Sequence, residues 1–508
     1  MVRLHRSAAR DLIIVIVGGQ VMDKPRYSNF DQGYFESLSN TRRGGLHNFV
    51  EPRSSRKERF EMGKALRHEV PRSAHAVWRP GKKRVDPMSI LKKQNATRVP
   101  KLVPLRNARM LGSPFSFLRG GAAIMAADLS LTPSTGVLVA ACGDMHVANF
   151  GAFGSAERKL IFAINDFDEV YPGPWEWDLK RLAASAAVAV SFMGGDRVEA
   201  EDAAQRAVSS YREHIRRYAD MPFLEVWYDR IEDEPILEAA PPDVRRRIET
   251  VIGKARTKGH LRTLDKLTET VAGQSRIAED IPLIVRETHR DDGAPMAGVI
   301  DSVIRSYFHS LPDDRRRLLS RYRIVDVARK VVGVGSVGTS CWVAYMQGLD
   351  ENDPLFLQVK EALPSVLAPY SPVRLPFDNQ GRRVVAGQRL TQGSPDIFLG
   401  WGESEGGRHV YVRQLADMKG GIQIVADDKE QRERFPLYCG LCGWALALAH
   451  AKSGDAAMIA GYAGKSAALD EAIGQFALAY LRQTEKDYAA MAALRRAGRI
   501  AVDTSVPT

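Results

Sequence analysis

Gly143-Asp144-Met145-His146-Val147-Ala148-Asn149-Phe150-Gly151 is the stretch that decides the fold, together with Asn165-Asp166-Phe167-Asp168-Glu169 shortly after it. The apolar runs Val137 to Ala140 and Leu160 to Ile164 lead into these two blocks, as buried strands lead into a site. In the first block an aspartate precedes an asparagine by five positions, a span that lets one loop aim both side chains into one cleft. Phosphoryl transfer to a hydroxyl needs a carboxylate to orient and accept the attacking proton. It also needs a neutral oxygen that holds magnesium without overcharging it. Asp144 fits the first role, with His146 beside it as a further catalytic candidate, and Asn149 fits the second. Acidic residues at the end of a buried strand are costly unless a cation compensates them. Asp166 is therefore read as a metal ligand, with Asp168 and Glu169 as candidates to complete the site. A turn closed by exposed carboxylates is the plain alternative.

Downstream, Pro174 suits the first turn of a helix carrying Leu179, Leu182, Ala183 and Ala186, and a mostly helical stretch is expected to about Arg321. Strands are then expected at Ile324 to Ala328, Val331-Val332, Cys341 to Tyr345 and Leu355 to Val359, three or four of them in antiparallel order. Between two of these lies Gly333-Val334-Gly335-Ser336-Val337-Gly338, and Lys360 ends a later strand. Glycines let backbone amides approach phosphate oxygens, and a lysine adds positive charge to them. This spacing alone is weak and usually marks an ordinary glycine turn. The strand-turn-strand context with a strand-ending lysine fits a phosphate-covering loop of the kinase type better than a dinucleotide fingerprint. Helices are expected again beyond about Tyr438 to Arg496.

The whole chain sets the limits. With 508 residues, 44% of them apolar, a large core needs no staple. Cys142, Cys341, Cys439 and Cys442 lack the partners of a zinc set and read as reduced thiols of a cytoplasmic protein. The apolar run Leu12 to Val17 is too short to span a bilayer and is read as part of a loose start rather than an export signal. Residues 52 to 110 hold 17 Lys/Arg against 4 Asp/Glu, which exceeds the chain's whole net charge of +11. Without a repeated aromatic-basic pattern this segment is expected to be solvated or phosphate-facing, not a nucleic-acid surface.

Six blocks, Ser113 to Gly120, Gly143 to Gly151, Asn165 to Glu169, Trp175 to Ala183, Val332 to Thr339 and Ala449 to Asp455, resemble the bacterial family known as domain of unknown function 2252, over roughly residues 60 to 490. That family is grouped with protein-kinase-like and aminoglycoside-phosphotransferase-like folds. The resemblance implies an α+β, two-lobe fold with a helical large lobe and a small antiparallel-sheet lobe. It implies Asp144 as base, Asn149 and Asp166 as metal ligands, and Asp178 as the helix-borne brace of the catalytic loop. It further implies Lys360 on the α- and β-phosphates of ATP, and Gly333, Gly335, Ser336 and Gly338 covering them. The glycine loop follows the catalytic loop instead of preceding it, so the fold would be circularly permuted, which contacts rather than chain ends decide. The expected organisation is an N-terminal extension at 1–59, a basic wrapping segment with catalytic loop and helices at 60–320, a small β lobe at 321–420, and helices completing the large lobe at 421–508.

Three functions remain from sequence: a magnesium-dependent phosphotransferase with an unidentified, possibly anionic acceptor; a haloacid-dehalogenase-type phosphatase attacking through Asp166; and a non-catalytic nucleotide-binding scaffold. The acidic partner of Lys360 is unresolved, because Glu361 should face the other way and Gln388 is a weak substitute. Arg119 holds a substrate phosphate or braces Asp128; His450 and Asp455 read as structural, and Trp175 and Trp177 as core.

Overall fold

The computed structural model describes residues 15–17, 20–22, 53–503 and 505, apart from 240–244, 247–248, 251, 254–259, 272, 288–295, 376, 416–419 and 504. The expected N-terminal extension therefore lies outside the described residues, save an antiparallel pair of short strands, Val15–Val17 with Gln20–Met22, and the residues from 53 onward. The first helix among the described residues is α1 (Arg56–Ala65), where Ser55 and Glu58 close a reciprocal cap on its first turn. The basic segment continues through α2 (Pro87–Asn95), α3 (Val103–Met110), α4 (Pro114–Gly120) and α5 (Ala122–Leu129), each short and all but α5 opened by a proline or capped by Ser or Asp. It wraps the body as expected: α1 lies on the C-terminal helices, and Arg84 reaches both Asp128 and Asp487 at 2.9 Å.

Two small antiparallel sheets follow. β1 (Leu138–Ala141) pairs with β4 (Tyr171–Pro174), and β2 (Phe150–Gly154) pairs with β3 (Leu160–Ile164) at the centre of a four-stranded sheet edged by Gly420–Gly421 and Ile231–Glu232. Pro174 ends β4 and caps the next helix instead of sitting inside its first turn. That helix, α6 (Trp175–Phe192), is buried all round from Trp175 to Val190, including Trp175 and Trp177. A helix buried on every side has to be central, and α7 (Arg197–Asp220), α10 (Lys429–Ser453), α11 (Ala456–Ala463) and α12 (Ala468–Arg496) enclose it.

The main sheet is larger than expected. It has six antiparallel strands in the order β5-β6-β7-β8-β10-β9: β5 Ile284–Val285, β6 Arg323–Lys330, β7 Cys341–Gln347, β8 Pro354–Glu361, β9 Gly400–Glu403 and β10 His409–Gln414. Val331-Val332 is not a strand, because β6 stops at Lys330 and the chain turns into the glycine loop. The stretch before Arg321 is not simply helical either. It contains a ribbon, Thr268–Val271 with Gln274–Ile277, which packs under β6, and α8 (Met296–Ser310), which packs on β9. Between β8 and β9, α9 (Gln380–Thr391) packs against α10 and against β9 and β10. The architecture is α+β with antiparallel sheets. All four cysteines are free and buried, and among the described residues no helix is long and apolar enough to cross a membrane.

Candidate functional site

The loop from Cys142 to Asn149 is held from beneath by one carboxylate. Asp178, one turn into α6, accepts from Cys142 N at 2.6 Å and Gly143 N at 2.9 Å, and His450 of α10 approaches its Oδ2 at 3.4 Å. Gly143 has φ +74, a conformation costly for a residue with a side chain, and it turns the chain toward the cleft. Asp455 caps α11 through Met458 N at 3.0 Å. His450 and Asp455 are thus structural, as their sequence setting suggested.

Asn149 donates its amide to the carbonyls of Asp144 at 3.0 Å and Asp166 at 3.4 Å, which ties the two acidic blocks together. Asp144 lines the cleft and is gripped through Oδ1 by Arg181 of α6, whose Nε lies at 3.0 Å and whose Nη2 also donates. His146 Nε2 stands 3.8 Å from Asp144 Oδ2. Burial pushes this imidazole down to about 4, so it is neutral.

Across the cleft the third strand of the long meander, β8, brings Lys360. Its Nζ pairs with Asp168 and lies 3.5 Å from Asp166 Oδ2, over a sequence separation of 194 residues. This answers the open question of its partner: the acids are Asp166 and Asp168, while Gln388 donates to Gln392 instead. Glu361 faces away as expected, accepting from Ser340 N at 3.0 Å. Burial works against the charge on Lys360, yet the two aspartates hold it well above its ordinary value. Burial would raise Asp166, but Lys360 and Arg413 outweigh it and keep this carboxylate well below its usual range. Asp168, pushed up by burial and by Asp166, is further held by the Tyr411 hydroxyl at 2.6 Å.

The glycine loop lies over these groups. Ser336 Oγ is 3.4 Å from Asp168 Oδ2, and a Cβ placed on Gly335 would stand 3.3 Å from Arg119 O and 3.9 Å from Asp144 Oδ2. Gly333, Gly335 and Ser336 line a cavity of about 760 Å³ together with Arg119, Asp144, Asn149, Asp166 and Asp168. Gly338 does not line it. With φ +88 it turns the loop's exit onto the basic segment, where its carbonyl accepts from Val99 N at 2.8 Å and its Cα packs on Arg98. Arg119 lines the cavity with a buried Nε that has no partner, and does not brace Asp128, a task that falls to Arg84.

Sequence reasoning missed Arg181, Tyr411 and Arg413. Arg181 lies one helical turn after Asp178, and Tyr411 and Arg413 alternate on β10 with Tyr411 directly opposite Lys360. Those spacings were the available signal. Glu169 accepts from Val366 N at 2.7 Å and is pushed up to about 7 by burial.

No curated protein and no solved structure matches the chain. Residues 98–494 match the family described as "Uncharacterized protein conserved in bacteria (DUF2252)", the family the six sequence blocks resemble, and the chain belongs to it.

Proposed function

We propose that the chain is a magnesium-dependent phosphotransferase of kinase-like, circularly permuted, two-lobe architecture, moving a phosphoryl group from ATP to an acceptor hydroxyl. The observation that carries this reading is the meeting of Lys360 with Asp166 and Asp168, two carboxylates that line one cavity with Asp144 and Asn149 under the glycine loop. The order within the small lobe supports it: a glycine loop joins two strands, the next strand carries the lysine, and a helix follows, as in kinase small lobes. Among the described residues no group of three or more His, Cys, Asp or Glu forms a metal cage. Magnesium suits so sparse an oxygen set, since it keeps several waters and shares phosphate oxygens with one or two carboxylates. Asp166 and the Asn149 amide oxygen would hold it, and the ion would neutralise charge on the phosphates.

In this reading Asp144 Oδ2 orients the acceptor hydroxyl and takes its proton, while Arg181 fixes the carboxylate through Oδ1. Lys360 positions the phosphates, the loop amides of 333–336 cover them, and Arg119 offers an unspent donor on the same side as Asp144. The free, buried thiols suit a reducing compartment, which supports a cytoplasmic location in this reading.

Calorimetry with ATP and magnesium tests it. Asp166→Ala is expected to abolish magnesium-dependent nucleotide binding, and equal binding in both proteins would refute the assignment. The grip of Arg181 on Asp144 favours a second reading, a nucleotide-binding scaffold without transfer. In that case Asp144→Asn changes nothing measurable, whereas the transferase loses turnover but keeps nucleotide affinity.

A further inference from the structure

Side chains alternate along a strand, so the β8 that sends Lys360 into the cleft sends Val359 and Leu357 to the opposite face of the sheet. That rear face is only partly covered. Between it and α8 lies a second cavity, of about 470 Å³. Voids beyond the size of a water are few in a packed protein interior, and this one has the size of a ligand pocket, which runs from about 300 to 1,000 Å³.

The cavity is graded from one end to the other. Register places Val327, Ala344 and Leu357 side by side, then Arg329, Trp342 and Val359, then Glu361 beside Val410 at the end where Ser340 leads into β7. The first row is apolar, α8 adds Val299, Ile300 and Val303, and Tyr307 spends its hydroxyl on Phe398 O at 2.7 Å. Polar groups gather at the other end. Arg329, whose side chain is only 7% exposed, gives Nε to Glu287 at 2.7 Å, but its Nη1 is buried with no partner. Among the described residues, Lys101 and Arg408 line this end with Glu287 and Glu361, and Lys101 pairs with Glu287 at 3.3 Å. An unpaired guanidinium nitrogen in a buried position calls for an acceptor, and a carboxylate answers it best. The apolar end would leave the amides of a peptide without partners, whereas a hydrocarbon chain fits it.

We propose that this rear cavity is a second binding site, for an amphipathic carboxylic acid whose acyl chain lies between the sheet and α8 and whose carboxylate meets Arg329. The proposal does not rest on the phosphotransferase reading, because the cavity faces away from Lys360. Glu361 nonetheless borders both cavities, so an occupant would press on the strand that carries the lysine.

The test uses the full-length chain and cis-parinaric acid, a fatty acid that fluoresces once its chain enters a dry apolar site. Fluorescence should rise on mixing, and dodecanoate should displace the probe roughly tenfold better than 1-dodecanol, the worth of one charge-assisted contact. Arg329→Met should erase that preference. Ile300→Trp, which fills the chain end, should abolish probe binding while the melting transition stays cooperative; Val299→Trp serves if it does not. Equal displacement by acid and alcohol, or an unchanged preference in Arg329→Met, overturns the carboxylate assignment. No fluorescence change in a cooperatively melting chain, or wild-type binding by the filled variants, overturns the site.

Discussion

Lys360 and Lys180 are buried alike, at 2% and 0% exposure, yet their surroundings are opposite. Lys180, on α6, donates to Thr132 Oγ1 at 3.0 Å and lies over the Phe476 ring, with one acid, Glu176, a turn before it. Burial pushes it down to about 8, against the pull of Glu176. Glu176 is itself pushed up by burial, although Thr135 donates to it twice. Each member of that pair drifts toward neutrality, as a sealed structural pair does. Lys360 instead meets two acids, both a quarter to a third exposed toward the cavity. Arg413 adds a second cation to that cluster, so Asp166 stays ionised where Glu176 drifts toward its neutral form. Both aspartates also border the cavity, and that open border separates the Lys360 cluster from a sealed staple.

The widest break in this comparison is chemical. Asp144→Asn should lower transfer by about 10²- to 10⁴-fold at unchanged nucleotide affinity, as loss of a general base does, measured by single-turnover phosphate transfer. Next comes the loss of each lysine. Lys360→Met should destabilise by about 3 kcal/mol, because two buried acids are left with Arg413 alone, and millimolar magnesium should recover part of the loss in urea titrations. Lys180→Met should cost less and ignore magnesium, because Glu176 can take up a proton. A magnesium response in both variants, or in neither, would erase the distinction drawn here.

The smallest effect is a pH signature. Lys180 binds its proton less tightly folded than unfolded, so stability should rise with pH from about 8 toward the ordinary 10.5. Glu176 holds its proton more tightly folded, so its contribution should fall as pH climbs above the ordinary 4.5. Urea midpoints across this range should show both slopes in the wild type and lose the upper one in Lys180→Met.

Particular residues show what the sequence could and could not convey. Leu160 to Ile164 was readable to the residue because an apolar run bounded by polar clusters has few other uses. The position of Lys360 was readable, but its partners were not: Asp166 and Asp168 already had a role as metal ligands, and a pairing across 194 residues leaves no local trace. Arg181 went unnoticed because an arginine in a helix normally marks the solvent side, and only the burial of α6 on every face turns it inward. β9 carries no strand signal at all. Its Gly400 and Gly402 are there because α8 crosses so closely that a Cβ at either would fall within 2.7 Å of a serine hydroxyl oxygen, and Ser310 Oγ accepts from Trp401 N at 2.9 Å. Tertiary contact, not propensity, makes that strand.

The distance along the chain between the acids and their lysine also sets a schedule for synthesis. At the usual pace of translation, 194 residues take roughly 10 to 40 s to emerge. For that interval the Asp166 loop leaves the ribosome without its counter-charge, and His450, the neighbour of Asp178, follows later still. A nascent chain of this protein thus passes through a stage in which its most acidic pocket is half built and open to chaperones or to stray cations.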